Sequence, residues 1–413
     1  MNEVTKKAKL VKRTEKHLRM AKTAEKNTAL LEIGRQIEKD MPMILKANEK
    51  DVKHAQEKGV SEALVDRLRL TEARINAMIT ACSKVITLAD PIGLVIKSWV
   101  KDTLRITQIR VPIGSIGMIY ESRPNVTLDA TILALKSGNP VLLRGGSDAL
   151  SSNLAIANAI KTGLSNSSIP SSAVEIVEDT DRENVNQMLK MNKYLSLIIP
   201  RGGAGLIRFV VENSTVPVLE TGVGNCHIFV DYNADIEKSV EIIDNAKTQR
   251  PGTCNTVETV LVHEGLAERL LPALKERLYS KDVEIRGCEK TTQIIDCTKA
   301  EEMDWETEYL DFILAIRIVK DLDEALDHIE RYSTGHSESI LTNDLSNARC
   351  FQDSIDSAAV YVNASTRFTD GEQFGFGGEI GISTQKLHAR GPVGLEELTT
   401  YKYIITGDYS VRG

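Results

Sequence analysis

The chain is 413 residues long, carries 51 Lys+Arg against 58 Asp+Glu, and is 42% hydrophobic. A chain of that length outgrows one ordinary core and predicts two or more lobes, burying roughly three quarters of its unfolded surface. The mildly acidic balance, with no long block of either sign, argues against a nucleic-acid partner, and no run approaches the roughly eighteen apolar residues of a membrane span.

From Val4 to about Leu88, apolar residues recur three or four apart among Lys, Glu and Arg, with Leu30, Leu31, Ile33 and Ile37 placed on one face. That period predicts an all-helical lead-in. Its basic start, MNEVTKKAKLVKRTEKHLRMAK, lacks the apolar stretch of a secretory leader. The six cysteines form no CxxC pair, which disfavours a zinc ribbon or disulfide framework and fits a reducing cytoplasm, with no metal site. Between Ile96 and Ile113 the period falls to two in IKSWVKDTLRITQIRVPI, where Lys101-Asp102 reads as the turn of a hairpin. A second β-rich segment, TTYKYII, runs from Thr399 to Ile405. Neither has a helical partner, so residues 96–110 and 396–413 are expected to build an intersubunit sheet and make the protein a homo-oligomer.

Residues 116–220 alternate short apolar runs (IGMIYES, PVLLRG, AVEIVE, LSLIIP, VPVLE) with amphipathic ones, and a second such series runs from Ile228 to Val362. Both read as βα units, so the expected architecture is α/β, with two doubly wound lobes plus a β-hairpin oligomerisation element. The cofactor-binding domain is expected over 1–95 and 111–222 and the catalytic domain over 223–365. Residues 366–395 are expected to form a loop region returning over the cleft. The boundary rests on the Gly-rich ETGVGN at 220–225.

Doubly wound sheets bind ligands beyond the carboxyl ends of their strands. The turns there are Arg123-Pro124-Asn125, Arg144-Gly145-Gly146-Ser147 and Arg201-Gly202-Gly203-Ala204-Gly205. Glycines let backbone amides approach phosphate, and each turn adds an arginine; any one is compatible with an ordinary βα turn, but the three together predict a phosphorylated cofactor. Neither GxGxxG nor a Gly-Lys-Ser/Thr loop occurs, leaving a dinucleotide site of unusual form. In QRPGTCNT, Cys254 sits in a Gly/Pro turn between helix-like and strand-like runs. A thiolate there is placed to meet a substrate, the alternative being a small buried hydrophobe.

The succession GSIGMIYESRPN, LKSGNPVLLRGGS, IIPRGGAGL, VLETGVGNCH and QRPGTC resembles the aldehyde dehydrogenase superfamily. The segments VKDLDEALDHIERYSTGHSESI and VNASTRFTDGEQFGFGGEIGISTQKLHARGPVGLEEL resemble, within it, the gamma-glutamyl phosphate reductase family, and the resemblance spans nearly the whole chain. It implies that Cys254 attacks the acyl phosphate of L-glutamate 5-phosphate and expels phosphate. NADPH then reduces the thioester to glutamate 5-semialdehyde, which cyclises to pyrroline-5-carboxylate, a proline precursor. The thiolate route divides a difficult reduction into two easier steps.

The resemblance also implies roles for other residues. Asn125 is the oxyanion donor beside the cysteine amide, or else simply a helix N-terminal residue. Glu220 occupies the place of the carboxylate that activates water in aldehyde-oxidising relatives. Water must not win here, so Glu220 is expected to handle a proton, to position the cofactor or merely to cap a strand end. Arg144, Gly145, Ser147, Arg201, Gly202 and Gly203 are expected at the cofactor, with Arg144 selecting NADPH through its 2′-phosphate, and Glu308 at the nicotinamide ribose. Arg123, His336, Arg367 and Arg390 are candidates for the substrate. His328 and His336, eight residues apart, lack metal-ligand spacing and are expected to be structural or to line the substrate cleft. The Phe374–Gly378 loop either closes over the substrate or is a surface turn. A separate glutamate kinase is the expected functional partner. The alternative reading is a hydrolytic NAD-dependent aldehyde dehydrogenase, which would need no phosphate.

Overall fold

The computed structural model describes residues 2–412. The chain divides into two compact units, the first Met1–Thr221 with Gly375–Gly381 and Val393–Gly413, the second Gly222–Phe374 with Ile382–Pro392.

The first unit begins with helices α1 (Glu3–Met20), α2 (Thr23–Glu57), α3 (Glu62–Leu68) and α4 (Glu72–Thr87). Asn2 and Thr71 cap α1 and α4 by accepting from the amides of Thr5 and Arg74. Along α2 the inward stripe is Leu30, Ile33 and Ile37, each fully buried. Leu31, expected on the same face, lies about 100° round the helix from Leu30 and is 43% exposed. The hairpin follows as β1 (Val95–Lys101) and β2 (Leu104–Pro112), turned at Asp102, whose φ of 53° is the left-handed conformation that Asp tolerates.

Next come β3 (Ile116–Tyr120), α5 (Val126–Lys136), β4 (Val141–Gly145), α6 (Leu150–Ser165), β5 (Val174–Ile176), α7 (Glu183–Leu189), β6 (Leu197–Arg201) and α8 (Ala204–Asn213). The strands form a parallel sheet in the order β5-β4-β3-β6. All of β3 is buried, as the unbroken apolar run IGMIY requires in a sheet covered on both faces. The expected strand VPVLE contracts to a single bridge between Val218 and Ile198. Pro217 has no N–H to give a ladder, so only its carbonyl pairs, accepting from the Ile198 amide at 2.8 Å.

The second unit contains β7 (Cys226–Val230), α9 (Ile236–Thr248), β8 (Val257–His263), α10 (Glu264–Tyr279), β9 (Glu284–Gly287), α11 (Glu289–Ile294) and β10 (Thr298–Lys299). It continues with β11 (Ile313–Val319), α12 (Leu322–Tyr332), β12 (Ser337–Leu341), α13 (Leu345–Ser354), β13 (Ala359–Val362) and the short antiparallel pair β14 (Ile382–Ser383) and β15 (Gly391–Pro392). Seven parallel strands run in the order β10-β9-β11-β8-β7-β12-β13. One core joins Val260 and Val262 of β8 and Ile316 of β11 to Leu270 and Leu274 of α10. Each such side chain contributes roughly 1.5–3 kcal/mol on burial, so this face fixes the sheet on which the cysteine loop is hung.

The last strand, β16 (Thr399–Thr406), belongs to the first unit and pairs antiparallel with β2, Tyr401 opposite Arg110 and Tyr403 opposite Gln108. The two β segments expected to be without a partner in their own chain therefore pair with each other, giving a sheet in the order β1-β2-β16. An ion pair from Arg110 to Glu396 at 2.7 Å anchors the join. Trp99 and Tyr403 meet edge to face at 6.2 Å, while Val100, Tyr401 and Ile405 stay exposed.

Candidate active site

Cys254 lies in the loop from α9 into β8, at the amino ends of β7, β8 and β12, not beyond the carboxyl end of a strand. Loop residues 249–256 are cross-braced by their own polar groups. The hydroxyls of Thr253 and Thr256 both donate to the Arg250 carbonyl at 2.9 Å, and the Thr256 amide donates to the Thr253 carbonyl at 3.0 Å. Asn255 is buried, its amide nitrogen donating to the Thr369 carbonyl at 2.9 Å while its own carbonyl accepts from Thr366 at 2.7 Å. Arg367, expected at the substrate, spends its guanidinium on this loop. It donates to Gln249 at 3.0 Å and Thr253 at 2.9 Å and meets the side-chain oxygen of Asn255. Burial, then the charge of Arg250, lowers its pKa.

The backbone of Cys254 is held from behind. The Cys226 thiol donates to the Cys254 carbonyl at 3.2 Å. Burial, then the nearby Glu338, pushes that thiol well above its usual range, so it stays a neutral S–H donor. A side chain at Gly224 would overlap the same carbonyl and stand 2.8 Å from the Cys254 Cα, so only glycine fits there. The Gly224 amide donates to Glu308 at 2.7 Å, which places that expected ribose ligand against the backbone behind the cysteine. Asn225 ties the segment down by donating to the Trp305 and Tyr332 carbonyls at 2.7 and 2.8 Å.

Two further clusters underlie the loop. Lys247 and Glu258, both fully buried, pair at 2.6 Å, and burial pushes the Glu258 carboxyl up while Lys247 opposes the shift. His336 is buried with its Nδ1 2.8 Å from the Ser337 hydroxyl and 3.8 Å from the Cys226 sulfur. His328 packs among His227, Trp305 and Tyr332, and burial drives its pKa down to about 2. It is a neutral core residue. Arg390, expected at the substrate, is committed to Asp356 at 2.6 Å.

In the first unit, Asn125 precedes α5 but makes no side-chain cap; its Nδ2 donates to Asp129 at 2.8 Å. Burial raises the Asp129 carboxyl to about 6, opposed by the Asn125 bond and by Arg201. Glu220 is half-buried just past the Val218 bridge, and Thr221 next to it donates to the Pro200 carbonyl at 2.7 Å.

The glycine turns differ from one another. A Cβ at Gly145 would strike Asn153 and Tyr120, so this glycine serves close packing. The Gly203 amide donates to Glu121 at 2.8 Å and an added Cβ at Gly202 would meet the same carboxylate, so a carboxylate occupies the turn after β6. The turn after β4 is the better match to a phosphorylated cofactor. Arg144 donates to the Thr180 carbonyl at 2.9 Å, its Nε is buried without a hydrogen-bond partner among the described residues, and Arg182 lies near enough to lower its pKa further after burial. Two cations and an orphaned donor fit an anionic group. Ser147 opens the short 3-10 turn leading into α6.

Asp129, Cys226, Gly224 and the Lys247–Glu258 pair escaped sequence reasoning. For Asp129 a signal existed, since positions four apart on a helix face each other.

A profile described as the aldehyde dehydrogenase family matches residues 4–305 and 293–404. Gamma-glutamyl phosphate reductase of Kosmotoga olearia is 62% identical over 413 residues, covering 100% of both chains. The crystal structure of gamma-glutamyl phosphate reductase from Thermotoga maritima superposes with a TM-score of 0.98 at 61% identity, again covering 100% of each chain. An engineered glycolyl-CoA reductase with bound NADP+ shares the fold, with a TM-score of 0.71 at 16% identity over 98% of this chain and 96% of its own. The chain belongs to the gamma-glutamyl phosphate reductases of the aldehyde dehydrogenase family.

Proposed function

We propose that the protein reduces L-glutamate 5-phosphate to L-glutamate 5-semialdehyde with release of phosphate, in the route from glutamate to proline. The observation that carries this reading is full-length identity of 62% to a gamma-glutamyl phosphate reductase, together with a braced loop presenting a cysteine at the place that family's chemistry requires.

In this reading Cys254 is the nucleophile. Its thiolate attacks the acyl carbon, the C–O bond to phosphate breaks, and the electron pair leaves with the phosphate. The donors assigned to the tetrahedral oxyanion are the Cys254 amide and the Asn125 carboxamide. The Cys226 bond and the close approach at Gly224 hold the Cys254 carbonyl, and through it the orientation of the peptide bearing the thiol. Asp129 fixes the Asn125 amide with its nitrogen as the presented atom. Arg144, with Arg182 beside it, is assigned to the 2′-phosphate, with Gly145, Gly146 and Ser147 shaping the same turn. NADPH, when bound, supplies the hydride that converts the thioester to the aldehyde. Glu220 and Glu308 are assigned to cofactor positioning or proton handling near the same chemistry.

The apolar sheet β1-β2-β16, with Val100, Tyr401 and Ile405 exposed, is assigned to association with further copies of the chain. A nucleophilic thiol fits a reducing cytoplasm, and a labile acyl phosphate fits functional coupling to the kinase that makes it.

The test is the reverse reaction, the formation of NADPH from glutamate 5-semialdehyde and NADP+. Strict dependence on inorganic phosphate is expected. Equal rates without phosphate would point to a hydrolytic aldehyde dehydrogenase.

A further inference from the structure

The first unit carries a small polar cavity at the start of α5 whose charges have no part in the chemistry assigned above. Its volume is about 70 Å³, and its walls include Arg123, Asn125, Asp129, Arg201, Glu379 and Ile380. Two guanidiniums, two carboxylates and one carboxamide therefore surround room for several waters, at roughly 10–15 Å³ each. That mixture suits neither a phosphate, which the carboxylates repel, nor a lone cation, which the arginines repel. It matches a zwitterion, whose carboxylate accepts from guanidinium and whose ammonium donates to carboxylate.

The walls are ordered. Asn125 donates to Asp129 at 2.8 Å, fixing one side. Arg201 reaches the segment that supplies Glu379, where a Cβ at Gly381 would stand 3.5 Å from its Nη1. That segment is pinned by the Ile380 amide donating to the Val393 carbonyl at 3.0 Å and the Val393 amide to the Gly381 carbonyl at 2.8 Å.

We propose that this cavity reads the amino-acid end of the substrate, Arg123 and Arg201 taking the α-carboxylate and Glu379, flanked by Asp129, taking the α-ammonium. The inference rests on the function proposed above and names the residues that make the enzyme select an α-amino acid. Asn125 provides the link, because the side chain assigned to the oxyanion at the δ-carbon also walls the cavity. Three C–C bonds separate the δ- and α-carbons, a reach of about 4 Å at roughly 1.5 Å per bond, so a headgroup in this cavity is compatible with a carbonyl oxygen at Asn125.

The experiment measures kcat/KM in the oxidative direction, with NADP+ and phosphate, for glutamate 5-semialdehyde, for 5-oxopentanoate, which lacks the ammonium, and for 4-aminobutanal, which lacks the carboxylate. In Glu379→Gln the preference for glutamate semialdehyde over 5-oxopentanoate is expected to fall roughly ten- to a hundredfold, the scale of one lost bond between charged groups. In Arg123→Ala the preference over 4-aminobutanal falls similarly. Should either variant fail to melt cooperatively, Glu379→Asp and Arg123→Lys are read by the same ratios. Rates that fall together for all three aldehydes, leaving the ratios of the unaltered enzyme, would overturn the proposal and make the cavity a structural feature. Comparable kcat/KM for all three aldehydes in the unaltered enzyme would also overturn it while leaving the proposed function standing. No phosphate-dependent NADPH from any of them would overturn both.

Discussion

Gly224→Ala is expected to disable the enzyme without touching a reacting group. The added methyl would overlap the Cys254 carbonyl and stand 2.8 Å from its Cα. Ordinary carbon–carbon contact is about 3.5–4.0 Å, so one segment has to retreat by about 0.7–1.2 Å. Neither retreats easily. The Gly224 amide is bonded to Glu308 and Asn225 is buried with two carbonyl partners, while Asn255 and Arg367 hold the cysteine loop from the other side. A misplacement of about 1 Å at a reacting group costs on the order of a hundredfold in rate, which is the expected drop in kcat. Overpacking of about 1–3 kcal/mol is expected to lower the melting temperature of this unit by about 2–12 °C. The assay pairs phosphate-dependent NADPH formation with the rate at which iodoacetamide alkylates Cys254 and with NADPH binding, which resides in the first unit and should be retained. Unchanged turnover together with an unchanged alkylation rate would refute the reasoning.

Lys247→Met leaves Glu258 buried without its partner and is expected to cost about 3–5 kcal/mol, with Lys247→Met/Glu258→Gln recovering most of it in chemical denaturation. Equal stability of the single and double variants would contradict this. Burial raises Asp129 to about 6 from an ordinary value near 3.8, so the folded state holds its proton between those values more tightly than the unfolded chain does. The associated stabilisation is present below about pH 4 and is lost as pH rises through 6. Asp129→Asn should therefore raise the melting temperature more at pH 8 than at pH 4, and an equal change at both would remove the ionised carboxylate as the cause. Arg144→Ala should weaken NADPH roughly ten- to a hundredfold and spare NADH, measured by fluorescence titration. Equal weakening of both would move the 2′-phosphate contact elsewhere.

Much of the fold was legible because its strands are buried on both faces and stand as apolar runs between amphipathic helices. IGMIY, VLLRG and LIIPR became β3, β4 and β6 within two residues of the expected bounds. Where the pattern was poor the reading failed. EIRG, with charged residues at two of its four positions, gave no strand signal, yet backbone pairing to β11 makes it β9. VPVLE looked like a strand because its composition hides the missing N–H of Pro217. The site was legible where chemistry announced itself locally, as at Cys254 in its Gly/Pro turn. It was illegible where function depends on what lies across the fold. Arg367 looked like a substrate cation because sequence shows a charge without its partners, and here those partners are the cysteine loop. Cys226, one of six scattered cysteines, gained its place only when β7 set it behind the Cys254 carbonyl. The β segments near the two ends of the chain could be recognised as strands, but their pairing partner depended on a contact nearly 300 positions away, from Tyr401 to Arg110.

The most direct test of the account mixes the enzyme with glutamate 5-semialdehyde and NADP+ in phosphate-free buffer, records NADPH on the stopped-flow timescale, and follows the peptide containing Cys254 by mass spectrometry. The account predicts a burst of about one NADPH per subunit, a glutamyl group on Cys254, and steady turnover only once phosphate is added, all absent in Cys254→Ser. Continuous turnover without phosphate, or a burst that survives Cys254→Ser, would contradict it.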